Sequence, residues 1–237
     1  MSTDFENGKA KMEDLLAWAS EHAPGSQRNE ATTRLHLIDR LLFECLGWDR
    51  ADGAAEDRYE RTYADYSLGR PFRQFLVEAK KEGVYFDLPA GFDRRTCALR
   101  TVMESAPSVD KAVRQAVEYC QTRGVAVGAV CNGHQLIAFL GSRQDGIPPL
   151  EGRCLVFQGL EDMSASFREL WDNLSKPAIA VRNLHANLRA DAVKPPPEKL
   201  SQRLPDYPGF KNRNPFQTEL SILGGLFVED VAHAPQS

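Results

Sequence analysis

No run of apolar residues in this sequence approaches the roughly 20 needed to cross a bilayer. The opening Met1-Ser2-Thr3-Asp4 has neither the basic stretch nor the apolar core of a secretory leader. A cytoplasmic protein with no membrane partner is the expectation. Cysteine is scarce and unpatterned. Cys45, Cys97, Cys120, Cys131 and Cys154 are odd in number and include no C-x-x-C pair, so neither a disulfide framework nor a zinc cluster is indicated, and most read as small core residues. His134 has no second His or Cys spaced to share a metal, so it reads as a turn or edge residue. No internal repeat is visible. Positive charge is not in excess either: a formal net charge of -4 speaks against a chain that coats nucleic acid nonspecifically.

The charge is nevertheless uneven. Residues 1–66 hold 8 basic against 14 acidic side chains, residues 67–174 hold 13 of each, and residues 175–214 hold 8 against 3. That last stretch is the best candidate for phosphate contact by charge alone, although a solvated helix or linker is the commoner source of such an excess. With 42% hydrophobic and 26% charged residues in 237, the chain can bury a sizeable core.

Periodicity places the elements. Met12, Leu15, Leu16, Ala17 and Trp18 predict an amphipathic helix between Lys9 and His22, packing on the domain and ended by Ala23-Pro24-Gly25. Ser26 is placed to cap a second helix, in which Leu35, Ile38, Leu41, Leu42, Cys45 and Leu46 recur at helical spacing before Gly47. Glu30 lies in its first turns at one border of the apolar face. By itself it complements the positive helix N-terminus. Residues 48–58 have loop composition. Asp93–Ser105 reads as helical, and Asp110–Gln121 carries a clearer stripe of Val113, Ala116, Val117 and Cys120, with Gln115 and Tyr119 one turn apart. Val125–Val130 is apolar enough for a central strand, Asn132-Gly133 is a hairpin turn, and Gln135–Leu140 returns. Cys154–Phe157 predicts one further strand, Asp162–Leu174 a helix, and Val181–Ala192 another. Prolines then dominate from Lys194 onward, and the late apolar run Leu220–Val228 is short. Three segments follow: 1–25, an N-terminal helix; 26–175, a mixed central sheet flanked by helices; and 176–237, a basic, proline-rich, helical or irregular extension or linker.

The stretch from Tyr63 to Lys80 is the least generic. Gly69-Arg70-Pro71 is turn chemistry between two strands, and alternation puts Glu78 and Lys80 on one face of the second strand, with Val77 and Ala79 on the other. Asp65 ends the partner strand, so the two carboxylates can meet. Such a pair is tolerated when one acid is protonated or when a hard cation or a lysine neutralises them, and Lys80 supplies the lysine. The ordinary alternative is a cross-strand ion-pair network with Lys80 or Arg73.

Glu30 in the helix, Asp65 at a strand end, Glu78-Ala79-Lys80 on its hairpin partner and Gln115-x-x-x-Tyr119 on the next long helix, followed by Val125–Val130 and Asn132-Gly133, together resemble the PD-(D/E)xK nuclease superfamily. The nearest likeness is to the N-terminal nuclease domain of type I restriction enzyme restriction subunits, over residues 26–142. Ala64 stands where the name-giving proline would be, which removes no ligand. The resemblance implies a restriction-endonuclease-like α/β fold and a Mg²⁺-dependent endonuclease in restriction or defence, Mn²⁺ being able to substitute. It implies cleavage of DNA, with RNA left open, to a 5′-phosphate and a 3′-hydroxyl. Asp65, Glu78 and the Ala79 carbonyl would hold the ion, and Glu30 would hold an ion-bound water or a second ion. Lys80 would orient the attacking water and offset charge on the phosphorane, and Gln115 and Tyr119 would position Lys80 or the phosphate. A homodimer is plausible for cutting two strands, and further domains or subunits would supply specificity. A catalytically silent nuclease-like module that binds nucleic acid or a partner is the alternative, and an unrelated α/β scaffold a third reading.

Overall fold

Three strands, β3 (Phe75–Ala79), β5 (Val127–Cys131) and β6 (Leu136–Leu140), are buried at every position, as near-continuous apolar sequence requires when both sheet faces are covered. The computed structural model describes residues 4–22, 30–59, 62–81, 86 and 95–189, with backbone alone at 30–31, 52–59 and 62–63. Contacts divide the chain into two units, Met1–Ala192 and Val193–Ser237, and the second lies wholly outside the described residues. The proline-rich segment and the Leu220–Val228 run lie outside them as well.

Strands β1 (Gly53–Tyr59) and β2 (Thr62–Leu68) extend the sheet beyond β3, and β7 (Arg153–Phe157) and β4 (Thr96–Ala98) extend it beyond β6. The order is β1-β2-β3-β5-β6-β7-β4. Every neighbouring pair is antiparallel except β3 with β5, which are parallel because the intervening chain crosses over through α3 (Leu99–Ser105) and α4 (Pro107–Arg123). This is a mixed sheet flanked by helices, as the element order implied.

One face carries the larger core. Tyr66, Leu68, Phe75, Val77 and Ala79 point to it and meet the helical segment after residue 30, α1 (Phe5–Glu21), α5 (Leu160–Ala165), α6 (Phe167–Leu174), α7 (Lys176–Ala180) and α8 (Asn183–Arg189). The other face is covered by α3 and α4, whose Val102, Val109 and Val113 pack on Val130, Ile137 and Val156. Helix α1 docks through Gly8, where an added Cβ would stand 2.4 Å from the Cys45 carbonyl oxygen and 2.7 Å from the Trp171 ring. A helix-interior glycine is disfavoured by about 1 kcal/mol against alanine, and the close approach is what it permits here.

Several local expectations are corrected. Asp65, expected to end its strand, lies inside β2, whose pairing with β1 runs on to Thr62. Residues 53–57, expected as loop, belong to β1, because full-length pairing with β2 satisfies their backbone whatever their composition suggests. The second helix is α-helical only over α2 (Glu30–Thr33) and then takes π-helical turns at Arg34–Ile38 and Arg40–Cys45. Its wider i→i+5 turns bury Leu37, Ile38, Leu41, Leu42, Cys45 and Leu46 and rotate Leu35 outward to 57% exposure. Residues 96–98, expected inside a helix, instead form β4, a short edge strand on β7. The helix expected over Asp162–Leu174 breaks at Ser166 into α5 and α6, while the one expected from Val181 is α8, preceded by α7 and separated from it at Arg182, where φ is 62°. Packing continues past residue 175, since Ile179, Leu184 and Leu188 join the larger core. Helix α4 matches its stripe and ends at Gly124 in the left-handed conformation.

Candidate active site

The β2–β3 ladder pairs Leu68 with Phe75, Ser67 with Leu76 and Tyr66 with Val77, and there it stops. At the next step a side chain takes the place of the backbone: Oδ2 of Asp65 accepts the Ala79 N–H at 2.8 Å. On the other side of β3, the Lys80 N–H donates to the Cys131 carbonyl at 2.8 Å. In a parallel ladder a residue turns its N–H and C=O the same way, so the Ala79 carbonyl is directed toward β2, on the side where Asp65 stands.

Glu78 is 4% exposed and its Oε1 lies 2.6 Å from Lys80 Nζ, on a lysine side chain that is 26% exposed. The Asp65 carboxylate, the Ala79 peptide and the Glu78–Lys80 ion pair therefore gather at the end of one hairpin. A charge-assisted bond at this burial is stronger than a surface ion pair.

A residue that sequence reasoning did not single out reaches the same acid. Arg34 Nη1 is 3.4 Å from Asp65 Oδ1, and its Nη2 donates to the Asp65 carbonyl at 3.2 Å. The guanidinium lies 5.1 Å from the centre of the Tyr66 ring. Tyr66 in turn donates its hydroxyl to Asp39 Oδ1 at 2.6 Å, and Asp39 Oδ2 accepts from Arg50 at 3.0 Å. Burial, reinforced by the Asp39 hydrogen bond, pushes the Tyr66 hydroxyl well above its ordinary range. The only sequence signal for Arg34 was its place four residues after Glu30. Glu30 itself opens α2, and its side chain lies outside the described residues.

Gln115 Nε2 donates to the Tyr119 hydroxyl at 2.8 Å, one turn apart on α4. Tyr119 packs with Ala64 and Leu76, and Leu76 shares its strand face with Glu78, so α4 covers the face on which Glu78 lies. Among the described residues neither Gln115 nor Tyr119 is hydrogen-bonded to Lys80, whose ammonium pairs with Glu78. Behind the hairpin, Gln135 clamps the chain that leaves β3: its Oε1 accepts the Phe86 N–H at 2.7 Å and its Nε2 donates to the Phe86 carbonyl at 3.2 Å. His134 lies in the Asn132-Gly133 turn, where its N–H donates to Asn132 Oδ1.

Among the described residues no group of three or more His, Cys, Asp or Glu side chains is arranged to hold a metal ion. The donors present at the hairpin end are two carboxylates and a strand carbonyl, hard oxygen ligands of the class Mg²⁺ accepts with several waters retained. The nearby Cys131 thiol is fully buried, and burial pushes it up to about 12. A separate cavity of about 560 Å³ between α3, α4 and the turn at Pro149–Glu151 is lined by Arg100, Asp110, Arg114 and Glu151. Among these charges Arg114 pairs with Asp110 and Arg100 with Glu151. No helix among the described residues is long and apolar enough to cross a membrane.

No family model, curated protein or solved structure matches this chain.

Proposed function

We propose that this chain is a Mg²⁺-dependent phosphodiesterase with a restriction-endonuclease-like fold that cuts DNA in restriction or defence, with Mn²⁺ able to substitute. The observation that carries the reading is the Asp65 carboxylate seated on the Ala79 amide, beside the buried Glu78–Lys80 pair. Asp65 and, 13 and 15 positions later, Glu78 and Lys80 come to one hairpin end, and the Lys80 side chain is 26% exposed there.

Asp65, Glu78 and the Ala79 carbonyl would hold the ion, with Glu30 at an ion-bound water or a second ion. When bound, the ion supplies Lewis-acid stabilisation of the phosphate oxygens and a more acidic water. Lys80 offsets the Glu78 charge and offers an ammonium that can orient the attacking water or meet charge growing on the phosphorus oxygens. Arg34 holds Asp65 from the opposite side, fixing the carboxylate against the strand end. Gln115 and Tyr119, bonded to each other on the covering helix, would contact a flanking phosphate.

The test is conversion of supercoiled plasmid to nicked or linear product by the purified chain with Mg²⁺. Cleavage should stop with chelator and in Lys80→Ala and Asp65→Ala. Activity retained in both variants would remove the mechanism. A second reading, a silent module that only binds nucleic acid or a partner, is favoured by the fact that each acid already has a cationic partner, Arg34 for Asp65 and Lys80 for Glu78. It predicts salt-sensitive DNA binding with no cutting at any Mg²⁺ or Mn²⁺ concentration.

A further inference from the structure

Cys97 and Cys154 are direct cross-strand partners, one on β4 and one on β7. Their sulfurs stand 3.5 Å apart. Directly opposed residues of an antiparallel pair have Cα atoms about 4.5 or about 5.5 Å apart, and both spacings fall within the range of about 4.4–6.8 Å that a disulfide spans. The pair is asymmetric. Cys97 is partly exposed on a three-residue strand at the sheet edge, while Cys154 is fully buried on β7.

We infer that Cys97 and Cys154 form an oxidisable dithiol, in which the Cys97 sulfur attacks a hydroperoxide and Cys154 resolves the product into a cross-strand disulfide. The inference is independent of the nuclease reading. A hydrogen bond from Cys154, with help from the Arg153 charge, holds the Cys97 thiol below its ordinary range, so the accessible sulfur is also the one with more thiolate character. Cys45, Cys120 and Cys131 provide the contrast inside the same protein. Each is fully buried, and burial pushes each thiol up to about 12.

The step balances. The Cys97 thiolate attacks one oxygen of hydrogen peroxide, the O–O bond breaks, and hydroxide departs to become water, leaving a sulfenic acid on Cys97. The Cys154 sulfur then attacks the Cys97 sulfur, the S–O bond breaks, and the departing hydroxide takes the Cys154 proton as a second water. Two electrons leave the sulfurs and reduce the peroxide. No backbone rearrangement is required, since the strand register already opposes the two residues.

The experiment treats the reduced, native full chain with hydrogen peroxide, counts thiols, and maps peptides without reductant. The expected result is loss of two thiols, a linked peptide joining Cys97 to Cys154, and reversal by dithiothreitol. Before oxidation, Cys97 should alkylate at least about tenfold faster than Cys45, Cys120 or Cys131. Cys97→Ser, at a partly exposed edge position, should lose no thiols under the same treatment, and Cys154→Ser should leave a sulfenic acid on Cys97 that a dimedone probe captures. The wild-type map stands even if Cys154→Ser folds poorly. Alkylation of Cys97 no faster than the three buried thiols would overturn the inference, as would a Cys97 sulfinic acid formed with Cys154 still free, or a disulfide between two chains.

Discussion

Asp65 on β2 and Ala79 on β3 are joined by a bond from the Ala79 amide to Asp65 Oδ2 at 2.8 Å, one step beyond the last backbone pair of their ladder. The side chain thus has two properties in one place: it satisfies a buried strand donor, and it presents a carboxylate next to Glu78 and Lys80. These two properties can be separated by substitution.

Asp65→Asn keeps an oxygen that can accept the Ala79 N–H but removes the charge. Its unfolding free energy should stay within about 1 kcal/mol of wild type, whereas Asp65→Ala, which leaves a buried N–H without its acceptor, should cost about 1–3 kcal/mol. Both should lower plasmid cleavage by roughly 100-fold or more. Urea unfolding run beside the cleavage assay checks this, and an active Asp65→Asn would show that the carboxylate charge is not used.

The Glu78–Lys80 pair should be coupled in a double-mutant cycle. Lys80→Met leaves a carboxylate that is almost fully buried facing an apolar side chain, so it should cost about 1–3 kcal/mol, and adding Glu78→Gln should recover part of that. A coupling energy near zero by chemical denaturation would mean that the pair is not formed in solution.

Tyr66→Phe removes the donor to Asp39 while leaving the ring beneath Arg34. The loss should be about 1–2 kcal/mol in stability, with the Mg²⁺ dependence of cleavage little changed, because the hydroxyl donates to Asp39 and Arg34 keeps its own bonds to Asp65. A shift in Mg²⁺ dependence would instead place Tyr66 within the reacting group of residues.

Stability should fall as pH rises above about 9. Cys45, Cys120 and Cys131 hold their protons in the fold up to about 12, whereas exposed thiols of the unfolded chain release theirs from an ordinary value of 9.0. The unfolded state therefore binds fewer protons across that window, and the unfolding free energy declines with pH. Below it the contribution is fully present. Cys120→Ala should lower stability at neutral pH yet flatten the slope between pH 9 and about 12, measured by denaturant titration of the reduced protein at fixed ionic strength.

The strands around the site were readable because their signals are local. Val125–Val130 is apolar enough for a central strand covered on both faces, and Asn132-Gly133 marks its hairpin through turn chemistry alone. The stripe of α4 was readable for the same reason, since Val113, Ala116, Val117 and Cys120 recur at helical spacing. β1 was not, because residues 53–57 have loop composition and become strand only by pairing with β2. The π-helical turns after Thr33 were hidden because their apolar residues also fit ordinary helical spacing, and only the outward turn of Leu35 separates the two geometries.

From its letters alone, this chain specified the alternation that sends Glu78 and Lys80 to one face and the helical spacing that puts Gln115 beside Tyr119. Those relations depend on neighbours two to four residues away. Which distant groups answer them was decided only by the folded chain: Arg34 reaching Asp65 across 31 positions, Asp65 capturing the Ala79 amide, and Cys97 opposing Cys154 across 57. Strand register and the approach of a helix to a sheet edge arise from packing summed over the whole core, and no short window of sequence contains that sum.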